Sequence, residues 1–206
     1  MRGIILISIL LLSPFARADQ TLQLPAFNAV KCDGVFDIDI TAGSAQSVLV
    51  KGADDETAKL KFEVVNEELV ITSPHNSHNL VFSSKTKIVI TMPAVRLFKS
   101  KGVGDVVIKN VDGDRIDLSY DGVGSLEVSG KTKWLRLKGH GVGAIDTKKL
   151  LADNADVEFD GVGGVEIYVS NHLNAVVHGV GSMTFYGNPK SINKIADGIG
   201  SISSGS

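Results

Sequence analysis

The second half of the chain repeats one pattern of apolar and polar positions at a short, nearly constant interval. From Gly102 onwards, a glycine, an aliphatic residue and a second glycine are followed each time by alternating apolar and polar residues. A period of this kind, with roughly 20 residues in each repeat, is typical of a solenoid in which each repeat forms one coil. The glycines of the six phrases are Gly102, Gly104, Gly122, Gly124, Gly141, Gly143, Gly161, Gly163, Gly179, Gly181, Gly198 and Gly200.

Aligning the repeats on these glycines predicts which side chains point into the stack. Residues four and six positions after each first glycine are mostly apolar, and so are those two, four and six positions before the next phrase. Because side chains alternate between the two faces of a strand, each coil contains at least two short strands. We therefore predict one all-β domain, a parallel right-handed β-helix or solenoid with coils of about 19 residues.

The glycine phrases have a structural explanation that requires no ligand. A sharp corner between closely stacked coils favours backbone that has no Cβ atom and can adopt φ > 0. We interpret the glycines as corner residues of this kind. We also expect the aliphatic residue between each pair of glycines to fill the corner from the inside.

Residues 19–92 carry strand signals without the glycine phrase. Val35 to Ile40 alternates between apolar and acidic residues, which is typical of a half-buried strand. Further strands are predicted at Ser47 to Lys51, Leu60 to Val65, Leu69 to Thr72 and Lys87 to Thr91, separated by turn-rich segments. We expect 19–92 to form less regular coils and 93–206 the regular ones, within a single domain spanning 19–206. Cys32 alternates with Val30 and is predicted to be a buried apolar residue.

The segment 1–18 has the pattern of a secretory signal peptide. A positive Arg2 precedes the short apolar run from Gly3 to Leu12, and Ala16-Arg17-Ala18 fits a cleavage site. We expect cleavage after Ala18, a periplasmic, secreted or cell-surface location, and no integral membrane segment in the mature chain.

Composition narrows the choice of partners. Loss of Arg2 and Arg17 reduces the 21 basic residues to 19 against 23 acidic ones, a formal charge of −4. This acidic balance does not favour a nucleic-acid partner. The sequence also has no cluster of basic residues with interleaved aromatic residues, which such a partner would require. The single cysteine cannot form an internal disulfide, so burial and backbone hydrogen bonds must hold the exported chain together.

Several segments resemble a family of exported bacterial domains, the auto-transporter adhesin head or GIN domain. The resemblance rests on Phe27-Asn28-Ala29-Val30, Phe36-Asp37-Ile38-Asp39-Ile40, Leu69-Val70-Ile71-Thr72, Met92-Pro93-Ala94-Val95 and the recurring glycine phrases. It covers nearly the whole mature chain and implies a β-helical protein of the cell envelope. The family offers no established catalytic residues to carry over. Asp or His stands before most phrases here, where the family usually has serine.

The position just before each glycine phrase forms a column of alternating charge type. Two interpretations are open. Opposite charges on adjacent coils favour the correct register and oppose a slipped one. Alternatively, His140, Asp160 and His178 could bind a divalent metal such as zinc, although a straight ladder gives poor tetrahedral geometry. The column consists of Lys101, Asp121, His140, Asp160, His178 and Asp197.

Two other outward columns suggest binding. Glu127, Asp146 and Glu166 place like charges on successive coils, which Lys148 could compensate or which calcium or a basic partner could exploit. Tyr168 and Tyr186 share a column, where their rings could meet sugar rings or simply protect the strands.

These observations predict a non-catalytic binding or structural module of the cell envelope with no cofactor, whose partner is an envelope protein or a glycan. One alternative is a polysaccharide lyase or hydrolase using paired carboxylates such as Asp160 and Glu166. Another is a scaffold in which terminal coils stack end to end into a homo-oligomer.

Overall fold

The computed structural model describes residues 20–52, 57–73 and 86–205. The predicted signal peptide, residues 1–18, lies outside these ranges. Within them, no helix combines the length and hydropathy needed to cross a membrane. The strands are β1 (Gln20–Leu22), β2 (Ala29–Val35), β3 (Asp37–Ala42), β4 (Ser47–Lys51), β5 (Lys61–Val65), β6 (Glu68–Thr72), β7 (Lys87–Met92), β8 (Leu97–Val103), β9 (Val106–Tyr186) and β10 (Ser191–Ser204).

The strands form one mixed sheet that curls into an open half-barrel. Its order is β1-β4-β7-β3-β9-β8-β2-β6-β5, with β10 paired to β9. The pairs β1–β4, β4–β7 and β5–β6 are antiparallel, whereas β8–β9 and β9–β10 are parallel. The all-β class is therefore confirmed. A parallel β-helix through the whole domain is not, because the first half contains hairpin-type pairing that the repeat pattern of the second half could not reveal.

Most strand predictions in the first half agree closely with the structure, but the predicted strand from Val35 to Ile40 is divided at Phe36 between the end of β2 and β3. β4 has the predicted bounds, and β5, β6 and β7 differ from the predicted strands by one residue at one end. Asn66 and Glu67, which join β5 to β6, have φ of 52° and 60°. Positive φ at both residues of a two-residue loop is the requirement of a tight hairpin whose twist matches its strands.

In the second half, neighbouring repeats lie directly over one another. Gly102 is paired with Gly122 between β8 and β9, and Gly198 with Gly179 between β10 and β9. Gly141 has φ of 120°, and a Cβ atom at this position would collide with the carbonyl oxygen of Gly122 on the preceding repeat. Only glycine combines this backbone conformation with so close an approach. We call each stacked repeat, containing one glycine phrase, a rung.

The predicted inward columns are buried and belong to one hydrophobic core that runs through both halves of the sheet. Ser204, expected to point inwards, is exposed in the last rung. Cys32 is buried as predicted, and this burial raises the pKa of its thiol far above the ordinary value. The inward columns are Val106, Leu126, Ile145, Val165, Met183 and Ile202; Ile108, Val128, Thr147, Ile167 and Phe185; Ile116, Leu118 and Tyr120; Leu135, Leu137 and Gly139; Ala155, Val157 and Phe159; and Leu173, Ala175 and Val177.

The aliphatic residue of each glycine phrase does not fill the corner from inside, and that prediction was wrong. Val123 and Val142 expose 49% and 51% of their surface. β9 continues without interruption through the four phrases that it contains, so the alternation of side chains is preserved there. The glycines occupy the inward positions of the phrase and the aliphatic residue the outward one.

Candidate functional site

The outward surface of the glycine corners is a continuous row of aliphatic side chains, which we call the valine ridge. Stacking of the flanking glycines places these side chains over one another from rung to rung. Val103 is half-buried, the next four residues expose 49–51%, and Ile199 exposes 77%. Isolated exposed apolar residues are common on proteins, but a contiguous row indicates a contact surface. The valine ridge consists of Val103, Val123, Val142, Val162, Val180 and Ile199.

The column of alternating charge runs along one side of the valine ridge. His140 Nδ1 lies 3.8 Å from Asp160 Oδ2, and His178 Nδ1 lies 3.7 Å from Asp197 Oδ2. The two histidines therefore contact different aspartates, and the proposed triplet of His140, Asp160 and His178 does not converge on one point. Among the described residues, no group of three or more His, Cys, Asp or Glu side chains is arranged to hold a metal ion. The observed pairs fit the interpretation of this column as a register device.

Beyond the charged column, basic and acidic rungs alternate across the same face. Lys138 Nζ lies 2.6 Å from Glu158 Oε2 on the next rung, and this hydrogen bond lowers the pKa of the Glu158 carboxyl. Trp134 donates from its indole nitrogen to Asp156 at 3.2 Å. The longer side chains surround a shallow depression of about 360 Å³ whose lining includes Asn174 and Val176. Opposite charges on adjacent rungs stabilise this register and disfavour a slip by one rung.

The acidic column on the other side of the valine ridge is compensated by Lys148. The Lys148 ammonium group lies 2.5 Å from Glu166 Oε2 and 3.3 Å from Asp146 Oδ2. The Tyr186 hydroxyl donates to Glu166 Oε1 at 3.1 Å. These hydrogen bonds lower the pKa of Glu166 and raise the pKa values of Lys148 and Tyr186. Glu127, the third acidic residue of the column, is exposed two rungs before Glu166.

The two tyrosines of the neighbouring column each lie over a glycine. A Cβ atom at Gly187 would come within 3.0 Å of the Tyr168 ring, and one at Gly205 would collide with the Tyr186 ring. The rings therefore cover glycine backbone on the following rung, and both tyrosines remain partly exposed. We call the surface formed by Tyr168, Tyr186 and the small residues between them and the valine ridge the tyrosine face.

Comparison with known families identifies the family of the chain. The family model described as "Putative auto-transporter adhesin, head GIN domain" matches residues 26–189, which is most of the chain. The chain belongs to this family. The resemblance inferred from its strand and glycine motifs is thus confirmed.

Solved structures resemble this GIN domain over nearly their full length. A putative adhesin from Bacteroides fragilis is 25% identical with a TM-score of 0.75, and the match covers 91% of this chain and 96% of that one. A putative adhesin from Parabacteroides distasonis is 16% identical with a TM-score of 0.54, with the same coverage. A putative lipid binding protein from the same species is 15% identical with a TM-score of 0.50, covering 92% and 96%. The search of curated proteins returned no match.

Sequence reasoning missed the most exposed apolar feature of this GIN domain. The signal was present, because Tyr120 and Leu126 are inward positions six residues apart, so Val123 between them has outward parity. A valine that filled the corner from inside would have to point inwards at an outward position, so that prediction required the alternation of side chains to break there. The roles of Gly187 and Gly205 were also missed, since both lie outside the six phrases and are defined only by the rings above them.

Proposed function

We propose that this GIN domain is a non-catalytic binding module of the bacterial cell envelope that binds a glycan on its tyrosine face. The observation that carries the proposal is the position of the two tyrosine rings over Gly187 and Gly205. Both rings remain partly exposed, and exposed aromatic rings suit the apolar faces of sugar rings.

The surroundings of the rings support polar recognition. Glu166 accepts from the Tyr186 hydroxyl and from Lys148, which fixes the ring and leaves a carboxylate and an ammonium group at the border of the surface. The floor between the tyrosines and the valine ridge carries short hydroxyl side chains at Ser182, Thr184, Ser201 and Ser203. Hydroxyl groups donate and accept hydrogen bonds, as sugar hydroxyls require.

The envelope location rests on the adhesin description of the family and on the signal-peptide pattern of residues 1–18. We further infer that residues 97–204 stack as a right-handed parallel β-helix in which each glycine phrase marks one coil. The parallel registers of β8–β9 and β9–β10, each offset by one repeat, support this architecture. Such a stack would present the tyrosine face as a flat and rigid surface.

A polysaccharide-cleaving enzyme is supported less well. The two carboxylates suggested by the sequence have different partners, because Asp160 lies beside His140 and Glu166 accepts from Lys148 and Tyr186. Paired general acid and base groups need a shared substrate position between them.

Binding to an array of bacterial and host-cell glycans tests the proposal, followed by calorimetry with any glycan that binds. We expect the double variant Tyr168→Ala/Tyr186→Ala to lose at least about tenfold in affinity, because each ring contributes on the order of 1 kcal/mol. Tyr186→Phe keeps the ring and removes only the hydroxyl, so it should bind more tightly than the double variant.

Two controls keep this test decisive. Leu151→Ala alters an exposed side chain on a different part of β9 and should leave affinity unchanged. Thermal unfolding of each variant would show that the fold is intact. Absence of any glycan binding, or full affinity in the double variant, would contradict the proposal.

A further inference from the structure

The valine ridge is unusually accessible for an apolar surface. Each of its residues is flanked along the chain by two glycines, so no neighbouring side chain in the same strand shields it. From Val103 to Ile199 the ridge spans six rungs about 4.8 Å apart, a row roughly 24 Å long. Val35, which is in register with Val103 and 41% exposed, adjoins its first rung. A partner that covers the valine ridge must therefore be straight and apolar over the same length. A second copy of this chain meets both requirements.

The charged column beside the valine ridge determines how a second copy would fit. Consider two copies placed face to face, with the two-fold axis perpendicular to the ridges and passing between the rungs of His140 and Asp160. The two ridges then run antiparallel, and each charged column faces its symmetry mate. Every facing pair joins a basic residue type to an acidic one, since the column alternates. The facing pairs are Lys101 with Asp197, Asp121 with His178, and His140 with Asp160.

Other arrangements lose this complementarity. A shift of the axis by half a rung places aspartate against aspartate, which disfavours that register. A two-fold axis parallel to the ridges places the charged column against the residues that follow each phrase. These are Asp105 in the first rung and uncharged serine, alanine or glycine in the other five, so only Lys101 would face an opposite charge. The alternation of charge therefore selects one orientation and one family of registers.

The last rung argues against assembly through the end of the stack. Lys194 occupies an inward position, because it is in register with buried Ala175. Its ammonium group donates to the carbonyl oxygen of Ile202 at 3.0 Å. A further rung stacked on β10 would enclose this charge in the core, at a large desolvation cost. Inward charges at an edge strand are a common device against edge-to-edge association.

An anionic membrane surface fits the valine ridge less well than a second copy does. Asp121, Asp160 and Asp197 lie directly beside the ridge and would be repelled by acidic headgroups. In the antiparallel dimer the same aspartates face Lys101, His140 and His178 of the other copy instead. We propose that the valine ridge is a homodimer interface in which two copies pack antiparallel. The proposal does not depend on glycan binding by the tyrosine face.

Sedimentation equilibrium of the intact protein, from low micromolar to submillimolar concentration, tests whether the dimer forms. We expect a monomer–dimer equilibrium that Val142→Asp/Val162→Asp weakens at least about tenfold, because carboxylates enter an apolar contact near the axis. Both valines are half exposed, so the substitutions should leave the monomer folded. Leu151→Asp places the same charge on an exposed leucine away from the ridge and should not change the equilibrium.

Cross-linking with a short bis-maleimide tests the orientation. A mixture of Val123→Cys and Val180→Cys proteins should cross-link efficiently, whereas Val123→Cys alone should not. Cys32 is buried and should not react.

A second readout is charge reversal in the charged column. His140→Asp places two aspartates opposite each other and should weaken the dimer. The double variant His140→Asp/Asp160→His places a histidine opposite an aspartate again and should restore the dimer. A strict monomer, a dimer insensitive to the ridge aspartates, or cross-linking of Val123→Cys to itself would overturn the proposal.

Discussion

The two halves of the sheet obey different rules of strand order. In the second half, spatial neighbours are about one repeat apart in sequence, so Lys101 is paired with Asp121 and Asp197 with His178. In the first half, β2 lies between β8 and β6, and its residue Val30 is paired with both Phe98 and Leu69. In a repeated sequence the period itself determines which strands lie next to each other. In an irregular sequence the neighbouring strands are determined by pairing between segments that are far apart in the chain.

The halves are nevertheless joined by shared pairing and a shared core. β2 is parallel to β8, β3 is parallel to β9, and the buried residues of both halves form a single cluster. Side chains such as Ile38 in β3 and Val106 in β9 lie in register across the junction. We therefore expect the two halves to unfold together even though their strand order arises differently.

The largest expected effect is that of a cavity in the shared core. Leu126 is fully buried in β9, and Leu126→Ala should reduce the free energy of unfolding by about 2–5 kcal/mol, through lost burial and the cavity left behind. Denaturant unfolding followed by far-UV circular dichroism and by Trp134 fluorescence should give one coincident transition, displaced to lower denaturant concentration. Trp134 reports on the second half only, because it is the single tryptophan.

Leu151→Ala is the matched control for this variant. Leu151 lies in the same strand but is 53% exposed, so its truncation should leave the transition almost unchanged. A circular dichroism curve that splits into two transitions, with fluorescence following only one, would show that the halves are separate cooperative units.

The next effect is expected at the glycine corners, which recur at a regular interval only in the second half. Gly141→Ala introduces a Cβ atom against the Gly122 carbonyl in a backbone conformation with φ of 120°. Strain of this kind costs about 1–3 kcal/mol. Thermal unfolding should show a lower Tm for Gly141→Ala, and no such decrease for Gly113→Ala, since a Cβ at Gly113 meets no described atom within 4 Å. Equal Tm values for the two variants would remove the steric explanation of the repeat.

The sequence was most informative where structure is local. Alternation identified the strands β4 to β7 to within one residue at either end, and the glycine period identified the rungs and nearly all inward columns. The pairing of β4 with β1 and β7 could not be predicted, because the apolar faces of these strands are compatible with many partners. The mixed direction of the sheet follows from those pairings together with the β5–β6 hairpin.

Prediction of the candidate sites was limited for a related reason. Compensation of Asp146 and Glu166 by Lys148 was one of the two alternatives that the sequence left open, since the repeat places Glu166 on the rung next to that of Asp146 and Lys148. The valine ridge was missed because the predicted corner included a change of alternation that the backbone does not make. The metal hypothesis required His140 and His178 to converge on one aspartate, and rung spacing keeps each histidine beside its own.

The smallest expected effect concerns the ion pair of Lys148 with Glu166 beside the tyrosine face, which corresponds in the first half to cross-strand ion pairs such as Lys87 with Asp39. The pKa of Glu166 is lowered by hydrogen bonds from Lys148 and Tyr186, so its carboxylate stabilises the folded state above the pKa of an unfolded glutamate, about 4.3. This contribution is lost as pH falls through the lower folded pKa. Glu166→Gln should therefore lower Tm slightly at neutral pH, and the difference from the parent should vanish in strong acid. Glu127→Gln, in the same column at a more exposed carboxylate, is the control and should have the smaller effect at neutral pH. A Glu166→Gln deficit that persists unchanged in strong acid would mean that the side chain contributes through packing and not through its charge.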